Sequence, residues 1–148
     1  MRKAKGFTLI ELLVVIAIIG LLSTLAVVAL NSARSKARDA KRIADIKQVQ
    51  TALELYFNDQ NSYPSIAGTA TLGSGAYACL GTGGWSSSGC ADAYMGLVPL
   101  NPGPDGSDYT FESDGTDYTI TFTLVGQTGG LSGTITTATP DGFSQPSE

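Results

Sequence analysis

Hydrophobic and polar positions divide the chain into unequal regimes. From Phe7 to Leu30, 24 residues follow one another with Glu11 as the only ionisable side chain. At a helical rise of ~1.5 Å per residue this run spans about 36 Å, more than the ~30 Å hydrocarbon core of a bilayer, and predicts a membrane-crossing helix with some tilt. No helix breaker follows at Asn31-Ser32-Ala33-Arg34. Apolar positions then recur at spacings of three and four, with Ala33, Ala37, Ala40 and Ala44 on one line and Ile43, Ile46, Val49, Leu53 and Tyr56 on an adjacent one. The pattern predicts one helix over about 7–58, apolar all round over 7–30 and amphipathic over 31–60. Such a helix is about 78 Å long, far more than a small domain needs. Its first half has no protein core to cover it, so it stays in lipid as an anchor or packs against copies of itself.

The periodicity changes after Asn58-Asp59-Gln60-Asn61-Ser62-Tyr63-Pro64, where turn formers precede a proline that disfavours helix in the residue before it. Residues 61–104 are rich in Gly, Ser, Thr and Ala and predict a loop region, with a short helix near Ala91–Leu97. Over 105–139 the pattern alternates. Tyr109-Thr110-Phe111-Glu112 and Tyr118-Thr119-Ile120-Thr121-Phe122-Thr123-Leu124 read as strands joined at Asp114-Gly115, and Leu131, Gly133 and Ile135 line one face of a third. An antiparallel sheet of about three strands needs a cover, which the Ile46, Val49, Leu53, Tyr56 stripe supplies. The expected fold class is α+β, with a polar tail over 140–148.

Charge sharpens this division. All nine Lys and Arg lie at or before Lys47, whereas residues 48–148 hold acids and no base. Nucleic-acid binding draws most of its affinity from cations neutralising phosphates, so direct DNA binding by the acidic C-terminal part is not expected. Topology holds a tension: Arg2, Lys3 and Lys5 precede the apolar run, but Arg34, Lys36, Arg38, Lys41, Arg42 and Lys47 follow it, which the positive-inside rule reads as the opposite orientation. The basic stretch from Arg34 to Lys47, with Asp39 and Asp45, reads as a solvated face near lipid headgroups or as a collar facing acidic neighbours. The collar reading predicts assembly sensitive to salt and to Arg38→Ala, Lys41→Ala and Arg42→Ala.

The chemistry available downstream is sparse. Cys79 and Cys90 close a 12-residue loop around Trp85, and a disulfide there would contribute about 2.8 kcal/mol by loop entropy. Zinc needs four ligands and the chain has two cysteines and no histidine, while a redox dithiol is more often Cys-x-x-Cys. Trp85 reads as a partner contact or as packing over the disulfide. Without histidine, and without Lys or Arg after Lys47, acid-base and phosphate-cradling repertoires are missing, so an enzyme is not expected.

The junction Gly6-Phe7-Thr8-Leu9-Ile10-Glu11 carries the most specific signal. An ionised Asp at the centre of a membrane helix costs about 2.5–3.5 kcal/mol on insertion scales, and a Glu is comparable. Cutting after Gly6 would give Phe7 a free α-amino cation one helical turn from Glu11, within one chain or between neighbours. The run Lys5-Gly6-Phe7-Thr8-Leu9-Ile10-Glu11-Leu12-Leu13-Val14-Val15-Ile16-Ala17-Ile18-Ile19-Gly20 resembles the N-terminus of type IV prepilins and pseudopilins. Leu53-Glu54-Leu55-Tyr56-Phe57-Asn58 through Tyr63-Pro64 resembles the helix exit of major pseudopilins, which extends the likeness to about residue 64. The resemblance implies a leader over 1–6 removed by a prepilin peptidase, N-methylation of Phe7, assembly guided by Glu11, and an inner-membrane assembly platform. It places the leader in the cytoplasm, in agreement with two cysteines suited to an oxidising exterior. Gly20 is an assembly candidate, although Val28 stands where related pilins often have proline. Major pseudopilins are known for a calcium site near their C-terminal strands; here Asp105, Asp108, Asp114 and Asp117 offer oxygen ligands at turns, in a spacing that matches neither that site nor an EF-hand.

The sequence reading is thus a type IV pilin-like filament subunit, made as a single-pass membrane precursor, without a required cofactor. Its partners would be copies of itself, other pilins, the peptidase, the platform and, before assembly, lipid. A type II secretion pseudopilin is the rival of the same class. A cleaved secretory signal, an uncut signal anchor and a non-polymerising membrane-anchored binding domain are the others, and all remain open on sequence alone.

Overall fold

The structure, a computed structural model, describes residues 6–131 and 136–145. Helix α1 covers Leu9–Gln60, and the chain divides into two compact units, one ending at Ser35 and one beginning at Lys36. The observed helix is offset by two residues from the expected 7–58. At its start Thr8 takes the capping position, and at its end Asn61 adopts a left-handed conformation (φ 55°) and donates its N–H to the Phe57 carbonyl at 2.8 Å.

In the first unit the side chains from Phe7 to Leu30 are exposed without exception. The apolar window of α1 is long and apolar enough to cross a membrane, and none of it is buried against protein.

The second unit is built on the remainder of α1 and two sheets. Its strands are β1 (Ala70–Thr71), β2 (Cys79–Gly81), β3 (Gly84–Ser86), β4 (Thr110–Ser113), β5 (Tyr118–Phe122), β6 (Thr136–Thr139) and β7 (Gly142–Ser144), with a 3-10 turn at Gly75–Tyr77. The larger sheet is antiparallel in the order β1-β4-β5-β6-β7, and β2 pairs with β3 in a separate hairpin. Alternation in β5 places Tyr118, Ile120 and Phe122 in the core and leaves Thr119 and Thr121 half-buried on the other face. Register carries that split across the sheet: Phe111, Ile120, Ala138 and Phe143 form one row, and Thr110, Thr121, Thr137 and Ser144 the adjacent one. Ile46, Val49, Ala52 and Leu53 of α1 join the first row in a single core, and Gln50 Nε2 donates to the Thr139 carbonyl at 2.8 Å.

Several expectations need correction. The larger sheet has five strands rather than about three, because two- and three-residue edge strands form at Ala70–Thr71 and Gly142–Ser144. Such strands have too few residues to show alternation and exist only by pairing with β4 and β6. The second of them lies in what was expected to be a polar tail. It follows the turn at Pro140–Asp141 and is held by Phe143, whose ring meets Phe122 at 5.8 Å. The stretch expected as loop over 61–104 contains β1, β2 and β3. Ala91–Leu97 is not helical: Gly89 and Asp92 have positive φ, and Met95 exchanges backbone bonds with Leu80. The expected third strand fell partly on residues 132–135, which lie outside the described residues. Of the two predicted helix lines, Ile46, Val49 and Leu53 are buried while Ala33, Ala37, Ala40 and Ala44 are exposed.

Candidate functional site

The N-terminal junction is the first candidate. Thr8 Oγ1 accepts the Glu11 N–H at 3.3 Å, and Glu11 Oε2 accepts both the Thr8 N–H at 2.8 Å and the Thr8 hydroxyl at 2.6 Å. This is a capping box, in which residues three apart satisfy donors that a helix start otherwise leaves open. Thr8-Leu9-Ile10-Glu11 shows the corresponding T-x-x-E signature before an apolar run, a signal the sequence analysis passed over. Glu11 therefore has a partner within the uncut chain, and its carboxylate is already aimed at the turn that would carry a new α-amine at Phe7. Gly20, a full two turns further on, is exposed, and an added Cβ would meet nothing within 4 Å.

The second candidate lies on the basic stretch and overturns part of its reading. Asp39 and Arg42 are fully buried rather than displayed on a collar. Arg42 Nη1 donates to Asp39 Oδ1 at 2.6 Å, Nε to Asn101 Oδ1 at 2.7 Å, and Nη2 to the carbonyls of Pro102 at 3.1 Å and Asp105. Asp39 also accepts the backbone N–H groups of Val125 at 3.0 Å and Gly126 at 2.8 Å. One ion pair on α1 thus ties down two distant loops, with its hydrogen-bonding capacity used, which is the condition for burying charge. Gly106 (φ 86°) packs against the guanidinium, and a Cβ there would lie 3.0 Å from Nη2. Arg38 pairs with Asp105 at the edge of this cluster. Lys36, Lys41 and Lys47 remain exposed.

Beside the clamp, Asp45 is buried and accepts the Tyr109 hydroxyl at 3.2 Å. Burial holds its carboxyl above the ordinary range, against the opposing pull of that hydrogen bond and of Lys41. Because the raised group binds its proton more readily folded than unfolded, its contribution to stability grows as pH falls through the raised pKa and is lost above it. Asp45→Asn is expected to raise the melting temperature at neutral pH, with the gap closing towards about pH 4, near the unfolded Asp pKa. Thermal melts of both proteins across that range check it.

The four calcium candidates are not brought together. Asp105 is occupied with Arg38, and Asp108 is exposed. Asp114 Oδ1 accepts the N–H groups of Thr116 and Asp117 and the Thr116 hydroxyl, which hold its carboxyl below the ordinary range, and Asp117 Oδ1 accepts the N–H of Tyr118. These acids shape the β4–β5 turn. Among the described residues no group of three or more His, Cys, Asp or Glu is placed to hold a metal.

Cys79 and Cys90 form a disulfide across the β2–β3 hairpin. Replacing both with Ser is expected to cost about 2.8 kcal/mol from the 12-residue loop, measurable by denaturant melts with and without reductant. Trp85 on β3 packs edge-on against Phe111 at 5.2 Å and Tyr77 at 6.3 Å.

Residues 1–27 match the family described as the prokaryotic N-terminal methylation motif. The type II secretion system core protein G of Vibrio cholerae serotype O1 is 35% identical over 133 residues, 88% of this chain and 87% of that protein. The protein of the same name from Aeromonas hydrophila is 42% identical over 64 residues, 43% of this chain and 45% of the relative. The type IV wide pilus major component of Thermus thermophilus is 48% identical over 65 residues, 44% of this chain and half of the relative. The match thus spans about half the length of the last two and most of the first. No solved structure matches the chain. With more than a third of positions shared along nearly the whole of one relative, beside the N-terminal motif and the helix-on-sheet fold, the chain belongs to the family of type II secretion protein G and the related type IV pilins.

Proposed function

We propose that this chain is a structural, non-enzymatic subunit of a type IV pilus-like or pseudopilus filament, inserted in the membrane as a precursor and polymerised through its N-terminal helix. The observation that carries this reading is the uninterrupted exposure of Phe7–Leu30, an apolar surface that needs either lipid or other subunits to cover it. Cleavage after Gly6 by a prepilin peptidase, methylation of Phe7, and handling by an inner-membrane assembly platform belong to the same proposal. So do a cytoplasmic leader and a mature subunit in a periplasmic or extracellular filament. Gly20, open on all sides in the single chain, fits a close helix approach between subunits. The buried clamp fits a unit that must survive extraction from the membrane.

Two versions of the filament have support. The Vibrio relative, aligned along most of its length, favours a secretion pseudopilus, and the Thermus relative favours a surface pilus. Deleting this chain from its host and examining the cells by electron microscopy, together with the proteins they export, separates them. Loss of surface filaments with normal export supports the pilus, and loss of export with filaments intact supports the pseudopilus. If neither changes, the proposal gives way to a membrane-anchored domain that does not polymerise.

A further inference from the structure

We infer that Arg34, Lys36 and Lys41 bind anionic phospholipid headgroups in the leaflet from which the C-terminal unit emerges. This rests on the membrane-inserted precursor proposed above and names the lipid chemistry that holds it before assembly.

The fold changes what the basic stretch displays. In sequence, Arg34 to Lys47 interleaves its bases with Asp39 and Asp45, which would offset part of the charge. In the structure both acids are withdrawn: Asp39 is fully buried with Arg42, and Asp45 lies buried against Tyr109. Arg38 is offset by Asp105. Arg34, Lys36 and Lys41 stay exposed, and Asp108, next to the Tyr109 that bonds Asp45, offsets at most one of them. Lys47 is exposed too, but its ammonium lies over the Phe143 ring at 5.8 Å.

Position along α1 selects lipid. Arg34 follows Leu30 by four residues and Lys36 by six, about 6 and 9 Å of helix. The headgroup zone is roughly 5–8 Å deep, and its field reaches about 8 Å beyond at physiological salt. Lys41, about 17 Å from Leu30, is brought back towards that field because helical side chains lean to the N-terminus and a lysine stem can stretch along the surface. Acids gather at the other end. Burial, the bond to Glu54 and the charges of Glu54, Asp117 and Asp141 push the Tyr63 hydroxyl up to about 12, and Asp59 accepts the Tyr94 hydroxyl at 2.7 Å. Glu54 lies eighteen residues beyond Lys36, about 27 Å along the axis. The C-terminal unit therefore carries a positive end where it follows the apolar run and a negative end away from it, a polarity that an anionic surface orients. A second copy anchored at the same depth sets cations against cations, so it does not supply the missing anions.

The test reconstitutes the full chain in phosphatidylcholine vesicles, checks insertion by flotation, and compares the association of spin-labelled phosphatidylglycerol with that of spin-labelled phosphatidylcholine. The leader's Arg2, Lys3 and Lys5 are the same in every variant, so the reading is the change between variants. Arg34→Gln with Lys36→Gln and Lys41→Gln is expected to lower the preference for phosphatidylglycerol about fivefold, the worth of one cation at an anionic surface. All three side chains are exposed, so this variant should melt like the unaltered chain. Lys47→Gln, about 26 Å from Leu30 along α1, should leave the preference unchanged. An unchanged preference in the triple variant, or an equal fall from Lys47→Gln, overturns the headgroup contact and leaves insertion standing. Zero-length carbodiimide adducts joining Lys36 or Lys41 to a carboxylate of a second copy in the same vesicles assign these cations to protein and overturn it as well. A chain that does not float with the vesicles overturns insertion itself.

Discussion

Arg42→Ala should destabilise the C-terminal unit by about 3–5 kcal/mol, the usual cost of removing one partner from a buried ion pair. The substitution leaves Asp39 without its cation in a site closed to solvent and releases the Asn101–Asp105 loop from α1. Denaturant melts of the purified full chain in detergent measure the loss. Asp39→Ala alone should also be costly, since Arg42 would be left buried beside the freed Val125–Gly126 turn. The double substitution should cost clearly less than the two single losses together, because no charge is then left unpaired. A loss from Arg42→Ala below about 1 kcal/mol, the range of an exposed pair, would mean that the clamp is open to water. The same geometry revises the salt-sensitivity expected of a basic collar. Arg42 answers to folding and Arg38 partly to Asp105, while Arg34 and the three lysines are exposed.

Glu11→Ala should abolish filaments or reduce them by orders of magnitude while leaving the C-terminal unit folded. Two losses combine. The helix start gives up the Thr8–Glu11 capping box, worth about 0.5–2 kcal/mol. If the proposed cleavage occurs, the subunit also gives up the carboxylate one helical turn from the α-amine at Phe7. Glu11→Gln separates them, since it keeps a hydrogen-bonding group for Thr8 and removes the charge. Filament yield, read by shearing and immunoblot, should fall for both variants. Normal filaments from Glu11→Gln would reduce the acid to a helix cap.

The parts of the molecule legible in the sequence are those whose cause is local. The apolar run needs only its own composition, and the Ile46, Val49, Leu53 stripe needs only helical spacing. Strand β5 announces itself by strict alternation between Tyr118 and Phe122. The clamp was hidden because its meaning depends on partners far along the chain. Asp39, Arg42 and Asp45 sit among other charges, where solvation is the ordinary outcome, and the groups that bury them come from Asn101–Asp105, Tyr109 and Val125–Gly126. Strands β1 and β7 were hidden for a related reason, being too short to carry a period and defined by register with their neighbours. The four turn aspartates show how little spacing alone says about partners. They were candidates as oxygen ligands at turns, but Asp105 pairs with Arg38, Asp114 and Asp117 bond backbone N–H groups of the β4–β5 turn, and Asp108 is exposed. The capping box at Thr8 and Glu11 is also local, since the T-x-x-E spacing alone encodes it.

On the proposed function, the junction at Gly6-Phe7 is both a processing site and the start of a polymerising helix. N-terminal mass spectrometry of this chain in material sheared from cells tests it most directly. The chain should leave with the sheared filaments and begin at a methylated Phe7. A chain that stays with the membrane and retains Met1 and its leader would contradict it.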